Sequence, residues 1–136
     1  MILLVGAGGA LGAAVRFLLG AAIKKIGRLD FPAGTWIINL TGSAFLGFLS
    51  GLYLTGSITQ GMWLFAGVGF CGAYTTFSTF GTETVTLIEQ KKYMPAMLYI
   101  AGSVIFGILF AAAGYVAALK SFPGISVIFN SCSVIY

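Results

Sequence analysis

Between Tyr74 and Phe80 the chain reads Tyr-Thr-Thr-Phe-Ser-Thr-Phe, placing four aliphatic hydroxyls and two phenyl rings deep inside an apolar run. Hydroxyls at that depth compete with the helical ladder for backbone partners. Gly67, Gly69 and Gly72 lie just upstream, and glycine lowers the cost of leaving a helix. The pattern predicts a membrane helix broken in its middle. Backbone outside a helix survives in a bilayer only against protein or a watery cavity, and transport proteins build ion sites at such breaks. Three further polar residues fall within apolar stretches. Asn39 must find partners there, as interhelical glue or as a pore-lining donor. Arg16 is costly in hydrocarbon unless it faces water or a partner; it either snorkels or forms an electropositive vestibule. Glu83, one turn past the break, reads as a headgroup-level carboxylate or as a residue of a pore mouth. Tyr99 and Ser103 are four apart and share one side of their helix.

The chain around these residues is that of an all-α integral membrane protein. Of its 136 residues, 59% are hydrophobic and 7% charged, with a mean hydropathy of +1.03; soluble chains carry about 25% charged residues. The net charge of +4 suits loops near anionic lipid, and no nucleic-acid partner is expected. The absence of histidine removes His-based metal sites and catalytic dyads. No nucleophile–base pair supports an enzyme. Cys71 and Cys132 lie on different segments and read as reduced, structural thiols.

Four spans are expected, each near the roughly 20 residues a helix needs to cross. They run from Ile2 to about Ile23, from the Phe31–Gly34 opening to about Leu54, from Met62 to about Gln90, and from Met94 to about Leu119. The third is longer than a straight crossing requires, and a break explains the excess. Residues 1–120 form one membrane domain; the tail, 121–136, is too short to cross as a helix and is assigned no function. No cleavable signal peptide is evident, because the first segment lacks a basic leader and is long enough to span. Lys24, Lys25, Arg28, Lys91 and Lys92 fall on the first and third loops, which therefore lean cytoplasmic with both termini outside. Two glycine patterns, Gly6-x-x-Gly9-x-x-Gly12 and Gly67-x-Gly69-x-x-Gly72, imitate dinucleotide loops. A nucleotide fold needs strands and amphipathic crossover helices that this chain does not offer. In the first stretch Gly8-x-x-x-Gly12 reads as a close-packing motif between membrane helices, and the second pattern also reads as packing.

Over about Gly6 to Leu119 the chain resembles the Fluc (CrcB-type) fluoride channels. The resemblance rests on Gly8-x-x-x-Gly12-Ala13-x-x-Arg16-Phe17, on Gly34-Thr35-x-x-x-Asn39-x-x-Gly42, and above all on Gly69-Phe70-Cys71-Gly72-x-x-Thr75-Thr76-Phe77-Ser78-Thr79-Phe80. It implies a four-helix subunit with a broken third helix, paired with an oppositely inserted copy in an antiparallel, dual-topology dimer with two pores. It implies a structural sodium ion at the dimer centre, held by the backbone carbonyls of Gly72 and Thr75. It places Phe77 and Phe80 beside the permeating fluoride and Asn39, Tyr99 and Ser103 on the pore wall. Thr76, Ser78 and Thr79 match the hydroxyl-rich stretch, and Arg16 and Glu83 the aqueous mouths. The implied activity is passive, fluoride-selective export across the plasma (inner) membrane, relieving fluoride toxicity.

The residue types suit that task. Fluoride holds water tightly, so a pore must offer donors in its place, and Asn, Ser, Thr and Tyr donate without charge. A fixed cation in the narrow part would bind the anion too well for conduction. Phenyl rings have positive edges that can meet an anion. Two features depart from the family pattern. Gly107 stands where some members carry serine, thinning the polar lining of the fourth helix. The loop charge bias is also stronger than dual insertion suggests, which leaves open a heterodimer with an oppositely biased paralogue. Two other classes compete: a small proton-coupled multidrug transporter, for which Glu83 is the sole carboxylate candidate, and a non-transporting membrane scaffold assembled through the glycine motifs.

Overall fold

The computed structural model describes residues 1–26 and 32–121. Every element among them is helical. α1 spans Ile2–Ile26 and α2 spans Ala33–Leu54. α3, residues 60–74, is composite: a turn of α-helix at Gln60–Met62, a π-helix at Trp63–Cys71 and a closing α-turn at Gly72–Tyr74. α4 spans Ser78–Glu89 and α5 spans Tyr93–Ser121. Among the described residues, three helices are long and apolar enough to cross a bilayer: Ile2–Lys25, Ala33–Leu54 and Tyr93–Ser121. The expected break in the third segment falls at residues 75–77, between α3 and α4. The expected roles of Arg28 and Cys132, and all of the tail beyond Ser121, lie outside the described residues.

Local chemistry sets the helix ends. Pro95 sits in the first turn of α5, where a missing N–H costs no ladder bond. α2 closes on Gly56, at φ +70°; the Ser57 N–H reaches back to the Leu52 carbonyl at 2.9 Å. α4 closes in the same way on Lys91, at φ 59°, with the Lys92 N–H donating to the Leu87 carbonyl at 2.9 Å. This is the left-handed cap that satisfies orphan carbonyls, and at Lys91 it is made without glycine.

Two helix pairs form the body. In the first, α2 and α5 run parallel, because Gly47 faces Ala111 and, further along both, Gly51 faces Ala118. A Cβ on Gly47 would collide with the Ala111 carbonyl, and one on Gly114 with the Ala44 carbonyl. In the second pair, α1 lies along α3 with the same closeness: a Cβ on Gly8 would strike the Phe65 carbonyl, and one on Gly12 the Phe70 carbonyl. Glycines at these positions let backbone meet backbone, which is how helices associate where lipid removes the hydrophobic driving force. The packing reading holds at Gly8 and Gly12, whereas a Cβ on Gly6 would meet nothing within 4 Å.

The outer faces of α1 and α5 are apolar and open. Leu3, Leu11, Phe17 and Leu18 on α1, and Met97, Leu98, Ile105, Ile108 and Leu109 on α5, are all exposed. An apolar surface of that extent belongs in lipid or against another chain. The small interior is built around Leu87, Ala96 and Tyr99, with Trp36 and Phe80 packed against them.

Candidate functional site

The break is held by one side chain. Asn39, in the second turn of α2, donates from Nδ2 to the Thr76 carbonyl at 2.9 Å and accepts from the Thr76 N–H through Oδ1 at 2.9 Å. This two-pronged grip replaces the ladder bonds that a continuous helix would have made. Thr75 lies in extended backbone, at ψ 157°. Gly42, one turn beyond Asn39, makes room for it: a Cβ there would collide with the Thr75 methyl group.

On the α3 side, Thr75 ends the helix by donating both its N–H, at 3.0 Å, and its Oγ1, at 2.9 Å, to the Cys71 carbonyl. The Tyr74 hydroxyl meets Thr41 Oγ1 at 2.9 Å. On the α4 side, Thr76 Oγ1 accepts from the Thr79 N–H at 3.3 Å, capping the new helix. The same hydroxyl donates to Thr79 Oγ1 at 3.1 Å and lies 3.3 Å from Ser78 Oγ.

These bonds divert two donors. In a continuous helix the Thr76 N–H would serve the Gly72 carbonyl and the Thr79 N–H the Thr75 carbonyl. Here the first serves Asn39 and the second serves Thr76 Oγ1. The carbonyls of Gly72 and Thr75 thus lose their helical donors. Neutral carbonyl oxygens are a donor set that suits a hard monovalent cation.

A second polar cluster lies towards the C-terminal end of α1. Thr35 Oγ1 donates to Glu83 Oε1 at 2.9 Å, and the Tyr99 hydroxyl donates to Oε2 at 2.8 Å. Both oxygens of the carboxylate are therefore engaged by uncharged donors. Tyr99 is fully buried, and Ser103 Oγ donates back to the Tyr99 carbonyl at 2.6 Å. Beside this cluster opens a cavity of about 770 Å³. Arg16, Lys24 and Lys92 line it with Glu83, and Thr76 and Thr79 from the break also line it. Arg16 lies about 15 Å below the end of α1, from ten residues at the helical rise.

The two phenyl rings differ. Phe77 is 84% exposed and so packs into no core of this subunit. Phe80 is half-buried, 5.9 Å from Phe77 and 5.0 Å from Tyr99 between ring centroids. The residues singled out from the sequence therefore gather into one connected region: Asn39, Thr76, Ser78 and Thr79 at the break, Phe77 and Phe80 beside it, Tyr99, Ser103 and Glu83 behind Phe80, and Arg16 across the cavity. The lining also includes hydroxyls that the sequence reading did not assign to the site: Thr35, Thr82 and Thr86. Their signal was spacing, since Thr35 precedes Asn39 by one turn, and Thr82 and Thr86 continue from Ser78 at the same interval. The π-helix was also missed.

Comparison with known proteins agrees with this arrangement. Residues 3–115 match the family model described as CrcB-like protein, Camphor Resistance (CrcB). Among curated relatives, a "Fluoride-specific ion channel FluC 2" of Bacillus thuringiensis subsp. konkukian (strain 97-27) is 43% identical over 112 residues, covering 82% of this chain and 92% of that protein. A "Fluoride-specific ion channel FluC" of Caulobacter sp. (strain K31) is 41% identical over 123 residues, 89% of this chain and 96% of that one. A "Fluoride-specific ion channel FluC 2" of Bacillus subtilis (strain 168) is 46% identical over 107 residues, 79% of each. With a matching segment that takes in every residue of the break, the cluster at Glu83 and most of each membrane-length helix among the described residues, this multi-pass membrane chain belongs to the CrcB family.

Proposed function

We propose that the chain is the subunit of a passive, fluoride-selective channel that lets fluoride leave the cell and so limits its toxicity. The observation that carries this reading is the Asn39–Thr76 grip, which holds a helix open beside uncharged donors and an exposed phenyl ring. A small anion must exchange its water for donors, and this site supplies them without a fixed positive charge in its narrow part. The basic residues stay at the cavity, where they raise the local anion concentration. No step needs a nucleophile or a nucleotide, so the protein is a conductor and not an enzyme.

The finer architecture is part of the same proposal. Residues 60–89 make a fourth crossing in two pieces. The parallel course of α2 and α5 supports this, because the chain between them must return across the full thickness. Two oppositely inserted copies pair, covering Phe77 and the open faces. A paralogue of opposite charge bias is the other partner that fits. The carbonyls of Gly72 and Thr75 would hold a sodium ion, which would supply positive charge between the two breaks. The membrane is the plasma (inner) membrane.

The test uses protein purified in sodium buffer and reconstituted in KF-loaded liposomes. A potassium ionophore should start rapid fluoride loss while chloride stays behind. Loss no faster than from protein-free vesicles removes the reading. Prolonged dialysis into sodium-free buffer should lower both the dimer fraction and the flux. Unchanged values after dialysis would remove the sodium while leaving the channel.

A further inference from the structure

α2 and α5 each carry a row of positions one turn apart: Thr35, Asn39 and Ser43 on α2, and Tyr99, Ser103 and Gly107 on α5. Four-residue spacing puts each row on a single helix face. The rows run in the same direction, because Gly102 lies near Trp36 and Gly107 near Ser43. Thr35 and Tyr99 meet at one end, both donating to Glu83. Asn39 holds the break one turn further on. At the other end the α5 row runs out of hydroxyls at Gly107, and there Ser43 Oγ stands 3.8 Å from where a Cβ on Gly107 would sit. That is ordinary contact distance, so the missing side chain leaves a shallow recess facing the Ser43 hydroxyl.

Ser43 is also unlike its neighbours. Thr41, Thr84 and Ser103 each donate to a carbonyl one turn back in their own helix. Ser43 makes no hydrogen bond with any described residue. Ser43 is half-buried, with its hydroxyl accessible; an uncommitted donor at membrane depth needs a partner, and the recess beside Gly107 gives one access. We propose that Ser43 is a fluoride-contacting residue, the next uncharged donor along the path beyond Asn39, standing in from α2 for the hydroxyl that α5 lacks at Gly107. This rests on the channel reading above. An anion leaving the break would pass to Ser43 Oγ–H before regaining its water at the far end.

The proposal predicts that the hydroxyl can move between the two helices. Liposome flux is measured for the wild type, Ser43→Ala, and the double variant Ser43→Ala/Gly107→Ser, with sizing and thermal melting as checks. Ser43→Ala should cut fluoride loss about tenfold, the scale of one hydrogen bond to a charged group. The double variant should recover most of the flux. Overturning results are wild-type flux in Ser43→Ala, or a double variant that melts normally and stays as slow as the single one. A wild type that passes no fluoride would remove the channel reading and Ser43 with it. Conduction by the wild type with an indifferent Ser43→Ala removes only this proposal.

Discussion

The seam between α2 and α5 and the break between α3 and α4 answer the same problem in opposite ways. Both must exist where no water is available to satisfy polar groups. At the seam, side chains are deleted: Gly47 and Gly114 bring one helix onto the carbonyls of the other. At the break, side chains are added: Asn39 and Thr76 stand in for ladder bonds. At Gly47 and Gly114 the first solution adds no polar side chain and makes a rigid frame. The second leaves carbonyls and hydroxyls in reach of a visitor. These glycine contacts carry structure and the break carries function, and substitutions should separate the two.

The largest effect is expected at the seam. Gly47→Leu forces atoms into the Ala111 carbonyl, and overpacking of that kind costs at least about 1–3 kcal/mol. It should abolish assembled protein on a sizing column along with all flux. A well-folded, conducting Gly47→Leu would show that the seam is not the frame. Next comes Asn39→Asp. An ionised carboxylate still accepts from the Thr76 N–H but cannot donate to the Thr76 carbonyl, and it repels an entering anion; one lost hydrogen bond with like-charge repulsion should lower flux about a hundredfold. The sizing profile should stay normal; loss of assembly instead would merge the break with the frame.

Phe80→Ile keeps bulk beside Tyr99 but removes the ring edge. It should lower flux about tenfold, in the range of an aromatic contact plus its burial, with unchanged assembly. Wild-type flux would return Phe80 to plain packing. Glu83→Gln is expected to be milder, about threefold or less, because the amide still offers an acceptor to one of the two hydroxyls. A proton-coupled drug carrier would instead lose drug efflux altogether in this variant. The smallest effect is outside the comparison proper: Lys91→Gly relieves a left-handed residue at the end of α4 and should raise stability by about 1 kcal/mol in thermal or denaturant unfolding.

Much of this was legible before any coordinates. The position of the break could be read because hydroxyls and glycines crowd into residues 67–80, a composition that disfavours a helix in lipid whatever surrounds it. Asn39 stood out because a carboxamide at that depth must bond something. What it bonds could not be read: the partner is a backbone amide 37 residues away, fixed only when α2 packs beside the break. The π-helix at Trp63–Cys71 was hidden for a similar reason. Its wide turn brings Gly69 against the Val5 carbonyl of α1 and folds the Trp63 ring over Gly67, contacts that no local propensity encodes. Glu83 was assigned to a mouth or a headgroup layer; its two hydroxyl partners come from α2 and α5 and so needed the tertiary arrangement.

The self-donating threonines have a consequence for how the protein is made. Thr41, Thr82, Thr84 and Thr86 each return their proton to their own helix, so these side chains are satisfied as soon as their helices form. Asn39 and Glu83 cannot do this: the partner of Asn39 and the Tyr99 partner of Glu83 arrive only with later segments of the chain. Biogenesis therefore has a late, cooperative step, in which the nascent α2 waits with an unanswered carboxamide until residues 75–77 emerge, and a translocon or lipid headgroup must shelter it in the interval.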